Sequence, residues 1–126
     1  MQTTRSDTDT IHTSDDGRHT IRVVKRQRTK PLPEGARYVG RPTALGSRFK
    51  LKDASDEARS ATISAFAEEF ADENSWESKR AERVAELLAE LRETGELTLA
   101  CWCAPKACHA DVISEYLLTR VVSVAG

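Results

Sequence analysis

The chain has no apolar run approaching the roughly 20 residues that a membrane-spanning helix needs. Its mean hydropathy of -0.52 and its hydrophobic fraction of 39% fit a soluble globule with no membrane partner. No export is expected either. Residues 1–16 lack an apolar core and carry Asp7, Asp9, Asp15 and Asp16 where a signal peptide would be basic, so a cytoplasmic location is expected. Cysteine is scarce at three residues, and an odd number packed closely together does not have the pattern of a disulfide framework, so reduced thiols are expected. There is no internal repeat, no low-complexity run, and no Walker or Rossmann glycine motif. With 126 residues the chain has room for one hydrophobic core and not for two.

What is present is ordered along the chain. Residues 1–18 are rich in Thr, Ser and Asp, with Ile11 the one aliphatic anchor after the initiator Met, and the expectation is a flexible tail ahead of a single domain over 19–126. Thr20 to Lys25 has the β-branched enrichment of a strand, and Ala36 to Val39 reads as a second, short one. Ile63, Phe66, Ala67 and Phe70 fall at helical spacing and predict a helix from about Asp56 to Ala71, with Ser55 or Asp56 as its cap. Asn74 and Glu77 suggest a capping box for a second helix carrying Val84, Leu87, Leu88 and Leu91 and stopping at Gly95. Leu97 to Cys103 reads as a buried strand and Asp111 to Thr119 as a last helix; Val121 to Val124 reads as a further strand or an apolar tail. Strands alternating with helices predict an α/β layered sheet with flanking helices, Rossmann-like in part.

Charge is segregated. From Arg18 to Lys52 eleven basic residues face one acid, Glu34, whereas from Asp53 onward fifteen acids face seven bases, and the whole chain nets -1. Such a field concentrates a phosphate-bearing ligand on the basic half, or else the halves neutralise each other across the fold or a homo-oligomer contact.

All three cysteines and one of the three histidines lie in Cys101-Trp102-Cys103-Ala104-Pro105-Lys106-Ala107-Cys108-His109. On the outline above this segment joins the carboxyl end of a buried strand to a helix N-terminus, where α/β folds bind ligands. Three readings stand. In the first, Cys108 is activated by the helix dipole and Lys106 and serves as a nucleophile or anion contact, with His109 as acid or base and Asp111 in the first turn. In the second, Cys101, Cys103, Cys108 and His109 hold zinc, or the three thiolates hold an iron–sulfur cluster. In the third, the cysteines are small core residues. The Gly40 to Phe49 segment supplies a second element: Arg41, Arg48, Lys50 and Lys52 can bind phosphate, and Arg37, Tyr38 and Phe49 add a mixture able to stack on a base. His12 and His19 receive no role.

Taken in order, Tyr38-Val39-Gly40-Arg41-Pro42, a turn ending at Phe49, two helices, and a CWCxPxxCHxD segment running from Cys101 to Asp111 resemble the domain of unknown function 4326 family of microbes and phages. The resemblance spans roughly Ile21 to Leu118 and matches Gly40, Arg41, Pro42, Gly46, Phe49, Cys101, Trp102, Cys103, Pro105, Cys108, His109 and Asp111. Gly46-Ser47-Arg48-Phe49 departs from the family's usual Gly-Asn-Pro-Phe. The resemblance implies a compact α/β domain, often virus-encoded, and a weaker likeness to a Rossmann-like family favours a nucleotide-type site by analogy.

The expectation is thus a site that joins the two loops and takes a nucleotide or a nucleic-acid phosphate. Gly40, Arg41, Pro42, Gly46, Arg48, Phe49 and Trp102 would bind the ligand, and in an enzymatic version Cys108 and His109 would do the chemistry with Asp111 orienting His109. The alternatives are a zinc- or iron–sulfur-binding structural module and a phage-encoded inhibitor of a host protein.

Overall fold

The computed structural model describes residues 1–41, 43–47, 49, 53, 55–104 and 106–124. Five strands, β1 (Gln2–Arg5), β2 (Asp9–Thr13), β3 (Thr20–Lys25), β4 (Arg37–Tyr38) and β5 (Glu96–Cys101), form one sheet in the order β1-β2-β3-β5-β4. The first three pair antiparallel, while β3 and β4 each run parallel to β5, with Ile21 opposite Leu97 and Tyr38 opposite Ala100. Helices α1 (Asp56–Ala71) and α2 (Ser78–Thr94) lie between β4 and β5 in the chain, and α3 (His109–Val124) follows β5. The chain is an α/β domain built on a mixed sheet. Among the described residues, no helix is long and apolar enough to cross a membrane.

Helix boundaries follow local chemistry. Ser55 caps α1 by accepting the Ala58 N–H at 3.1 Å, and Asp56 and Glu57 sit in the first turn, where the helix dipole favours acids. The expected Asn74–Glu77 box does not form. Asn74 falls in a short 3-10 turn (Glu73–Ser75), and Glu77 itself is the cap of α2, without a side-chain bond. Gly95 ends α2 in the left-handed region (φ 79°), returns its N–H to the Leu91 carbonyl at 2.8 Å, and accepts the Thr20 N–H at 3.0 Å. Strand β5 stops at Cys101, so Cys103 lies beyond it, and Val121 to Val124 belongs to α3 rather than to a strand.

The core packs Ile21, Val23, Leu97 and Leu99 of the sheet against Phe66 and Phe70 of α1, Val84, Leu87 and Leu91 of α2, and Ile113, Leu117 and Leu118 of α3. The alternation in β3, where Ile21 and Val23 are buried and Arg22 is exposed, marks a sheet covered on one face. Arg80 ties α2 to its surroundings, donating to the Ala44 carbonyl at 2.9 Å and pairing with Glu69 of α1 at 3.3 Å.

The largest departure from expectation is at the N-terminus. Residues 1–18 hold a β-hairpin, β1 with β2, that extends the sheet through β3 and is not a flexible tail. Its inward face is polar: Thr10, His12 and Ser14 are the buried positions. Burial of polar groups is tolerated because they are partnered. His12, 1% exposed, donates from Nε2 to Asp111 Oδ1 of α3 at 2.8 Å, and its Nδ1 meets the Thr3 hydroxyl at 2.9 Å. Arg5 donates to Thr10 Oγ1 at 3.0 Å and to Asp111 Oδ2 at 3.1 Å. The hairpin is fastened by hydrogen bonds in place of a hydrophobic seam.

Replacing His12 by Ala removes a buried partner of a buried carboxylate, and the expected cost is about 3 kcal/mol. Urea unfolding should show a lower midpoint at an unchanged slope. A midpoint within error of the unmodified chain would mean that the hairpin is not held through this contact.

Candidate functional site

The cysteine segment turns tightly after β5. The Arg26 N–H donates to the Cys101 carbonyl at 2.7 Å, the Val39 N–H to the Ala100 carbonyl at 3.0 Å, and the Lys106 N–H to the Cys103 carbonyl at 2.9 Å. Strands β3 and β4 therefore flank the end of β5, and the turn delivers Cys108 to the position just before α3. There the Asp111 N–H bonds the Cys108 carbonyl at 3.0 Å and the Cys108 N–H bonds Asp111 Oδ2 at 3.1 Å. This reciprocal pair satisfies two backbone groups at the helix start, a role a first-turn carboxylate commonly plays.

Opposite this segment the Gly40 loop is folded by its own short contacts. The Thr43 N–H and hydroxyl both donate to the Gly40 carbonyl, at 3.0 and 2.6 Å, and the Gly46 N–H donates to the Thr43 carbonyl at 3.0 Å. A Cβ on Gly46 would stand 2.8 Å from the Arg41 backbone nitrogen, so that position demands glycine, and one on Gly40 would force the Tyr38 phenol to shift. The two loops face each other across a cleft of about 360 Å³ whose walls include Gly40, Arg41, Phe49, Arg59, Trp102, Cys103 and His109. Of the sequence-derived set, Gly40, Arg41, Phe49, Trp102, Cys101, Cys103, Cys108 and His109 thus come together. Gly46 lies instead on a neighbouring depression beside Arg80. Pro42, Arg48, Lys50 and Lys52 lie outside the described residues.

Asp111 does not orient His109. Its carboxylate is taken up by His12, Arg5 and the Cys108 N–H. Burial raises its pKa, but the His12 bond, the Cys108 N–H and the Arg5 charge outweigh burial and hold it below the ordinary carboxylate value. His109 turns the other way. Its Nε2 donates to the Val39 carbonyl at 2.8 Å, which fixes the tautomer, and its ring meets Phe66 edge-on with centroids 5.3 Å apart. Burial, offset in part by the Val39 bond, lowers its pKa and keeps the imidazole neutral at pH 7.

The three thiols form one cluster. Cys101 Sγ and Cys108 Sγ are 3.1 Å apart. Cys103 shares the lining of the same cleft with both of them. Cys108 is therefore not the activated thiol: its bonds to Cys101 and Cys103, with burial, push its pKa far up. The Cys103 thiol is the one held low, at about 6, by the Cys108 bond against burial, and then by the bond and charge of Arg59. The reason is geometric. Cys108 is enclosed, with Cys101 Sγ 3.1 Å from its own sulfur, whereas Cys103 lies partly open on the cleft beside a guanidinium.

Among the described residues, no group of three or more His, Cys, Asp or Glu is placed to hold a metal ion. Zinc–sulfur bonds of 2.3 Å at a tetrahedral angle separate sulfurs by roughly 3.8 Å, wider than the Cys101–Cys108 spacing of 3.1 Å, and His109 Nε2 is occupied by a carbonyl.

Two residues that sequence reasoning missed shape the site. Arg59 of α1 lines the cleft and donates to the Ala107 carbonyl at 3.4 Å, and its buried Nε has no partner among the described residues. Arg26 lies over Tyr38 (4.3 Å to the ring centroid) and near Trp102 (5.4 Å), while Trp102 Nε1 donates to the Tyr38 hydroxyl at 2.9 Å. Trp102 is nonetheless 44% exposed. The charge halves meet at Arg37, which reaches Glu90 of α2 at 2.7 Å, whereas Arg22 pairs with Asp9 of the hairpin at 2.8 Å.

Two outcomes are expected. In the native protein, iodoacetamide should label Cys103 first with a midpoint near pH 6, and Arg59→Gln should move that midpoint up; first labelling at Cys108 would contradict the assignment. Because the folded pKa of Asp111 is depressed, its contribution to stability is present above the unfolded carboxylate pKa and is lost as pH falls through the lower folded value. Asp111→Asn should therefore flatten the acid limb of the stability curve measured by urea unfolding between about pH 5 and pH 2.

No curated protein and no solved structure matches the chain. The family described as Domain of unknown function, DUF4326, matches residues 23–119. That stretch runs from within β3 into α3 and carries both walls of the cleft, while β1 and β2 fall outside it. Since the match covers most of the sequence, this chain belongs to the DUF4326 family.

Proposed function

We propose that the cleft between the Gly40 loop and the cysteine turn binds a nucleotide or a nucleic-acid phosphate. The observation that carries this reading is Arg59, a guanidinium on the cleft wall whose buried Nε has no partner among the described residues. An orphaned buried donor is costly unless a ligand completes it. Arg41 adds a second cation from the opposite loop. The cleft lies past the carboxyl ends of parallel strands β3, β4 and β5 and beside the start of α3, where the helix dipole favours an anion. Trp102, exposed at the mouth with Arg26 and Tyr38 behind it, offers a face for a base. In an enzymatic form of this reading the nucleophile is Cys103 rather than Cys108, with neutral His109 nearby in the same wall.

Calorimetric titration with adenosine monophosphate and with a short single-stranded oligonucleotide tests the reading. Arg41→Glu and Arg59→Gln should each weaken binding by about ten- to a hundredfold, the worth of a charge-assisted hydrogen bond. Trp102→Ala should cost about tenfold, and added salt should weaken all of these interactions. Binding that neither arginine substitution changes would exclude this cleft as the anion site.

A further inference from the structure

Three thiols drawn into one hydrogen-bonded cluster, with one of them open to a cleft, form an arrangement that anion binding does not require. Cys101 and Cys108 are 1% and 4% exposed, whereas Cys103 is only partly covered and lines the cleft. A reagent entering the cleft therefore reaches Cys103 first. Behind it, on the lining of the same cleft, stands Cys108, whose Sγ lies 3.1 Å from Cys101 Sγ, about 1 Å beyond a covalent S–S distance of about 2.05 Å. An accessible cysteine poised beside a resolving one is the layout of a peroxide-reactive thiol. Strand β5 ends at Cys101 and α3 begins at His109, so Cys103 and Cys108 both lie between these elements and a bridge joining them breaks neither.

We propose that Cys103 and Cys108 form a dithiol centre that reduces a hydroperoxide, with Cys103 as the attacking thiol and Cys108 as the resolving one. In the first step the Cys103 sulfur attacks the distal peroxide oxygen and displaces the other oxygen as the leaving group. The O–O bond breaks, an S–O bond forms, sulfur is oxidised to the sulfenic acid, and the thiol proton leaves with the reduced alcohol or water. In the second step Cys108 sulfur attacks that sulfenic sulfur. The S–S bond forms, the S–O bond breaks, and the hydroxyl departs as water with the Cys108 proton. The dithiol supplies both electrons, and an external thiol such as dithiothreitol restores it. Arg59 lines the same cleft as the attacking Cys103 sulfur and brings a positive charge to it.

The reduced full-length chain, free of nucleotide, is treated with hydrogen peroxide and followed by thiol counting and peptide mapping, so the result is independent of whether the cleft binds phosphate. The expected result is loss of two thiols per peroxide consumed, a Cys103–Cys108 bridge in the map, and full recovery with dithiothreitol. Cys108→Ser should stop at a sulfenic acid on Cys103 that dimedone captures, Cys103→Ser should slow peroxide consumption at least tenfold, and Cys101→Ser should still bridge. Circular dichroism checks the fold of each variant, and the map of the unsubstituted chain decides the matter if a variant fails to fold. A bridge confined to Cys101 and Cys108, or thiols that stay intact at millimolar peroxide, would overturn the proposal.

Discussion

The Asp111 carboxylate is the constraint on which the rest of the molecule depends. It stands in the first turn of α3 and accepts from three directions: His12 and Arg5 of the N-terminal hairpin and the backbone N–H of Cys108. One side chain therefore ties the hairpin to α3, closes the N-terminus of that helix and holds the backbone of the last cysteine. A buried carboxylate is tolerated only when its lone pairs are used. Two neighbouring cationic or proton-donating side chains and one amide meet that condition here.

The cleft follows from sheet topology. Parallel pairing of β3 and β4 with β5 brings three carboxyl ends to one edge, and the chain leaving each end must turn there. The turn after β4 is shaped by Gly40 and Gly46, whose missing Cβ atoms let the Tyr38 phenol and the Arg41 backbone come close. The turn after β5 is shaped by carbonyls accepted from neighbouring backbone and by the cysteine cluster. Two loops packed by unrelated devices thus form opposite walls of one space, and α1 adds Arg59 from the side.

Within the cysteine turn, position decides reactivity. The enclosed thiol of Cys108 retains its proton because its sulfur neighbours and burial raise its pKa, while Cys108 and the Arg59 guanidinium lower that of the more open Cys103. The dipole of α3 acts on Cys108 at the helix start, yet short-range hydrogen bonds among sulfurs outweigh it.

The sequence by itself determined the α/β class, α1 from its Ile63 to Phe70 stripe and Ser55 cap, the stop at Gly95, β3, and the two loops that wall the cleft, because each is written in periodicity or turn chemistry within a short window. It could not show the hairpin. The positions that β2 buries are Thr10, His12 and the adjoining Ser14, whose alternation carries no hydrophobic signal, and the partner that makes their burial tolerable lies about a hundred residues away at Asp111. For the same reason His12 looked idle and Asp111 was matched to its chain neighbour His109, which in the folded chain bonds Val39 instead. Arg59 went unseen because a lone arginine in an amphipathic helix has no local mark of facing a cleft. Which cysteine is acidic was likewise decided by tertiary structure alone, since enclosure and sulfur–sulfur contact are properties of the packed turn and not of the spacing between residues 101, 103 and 108.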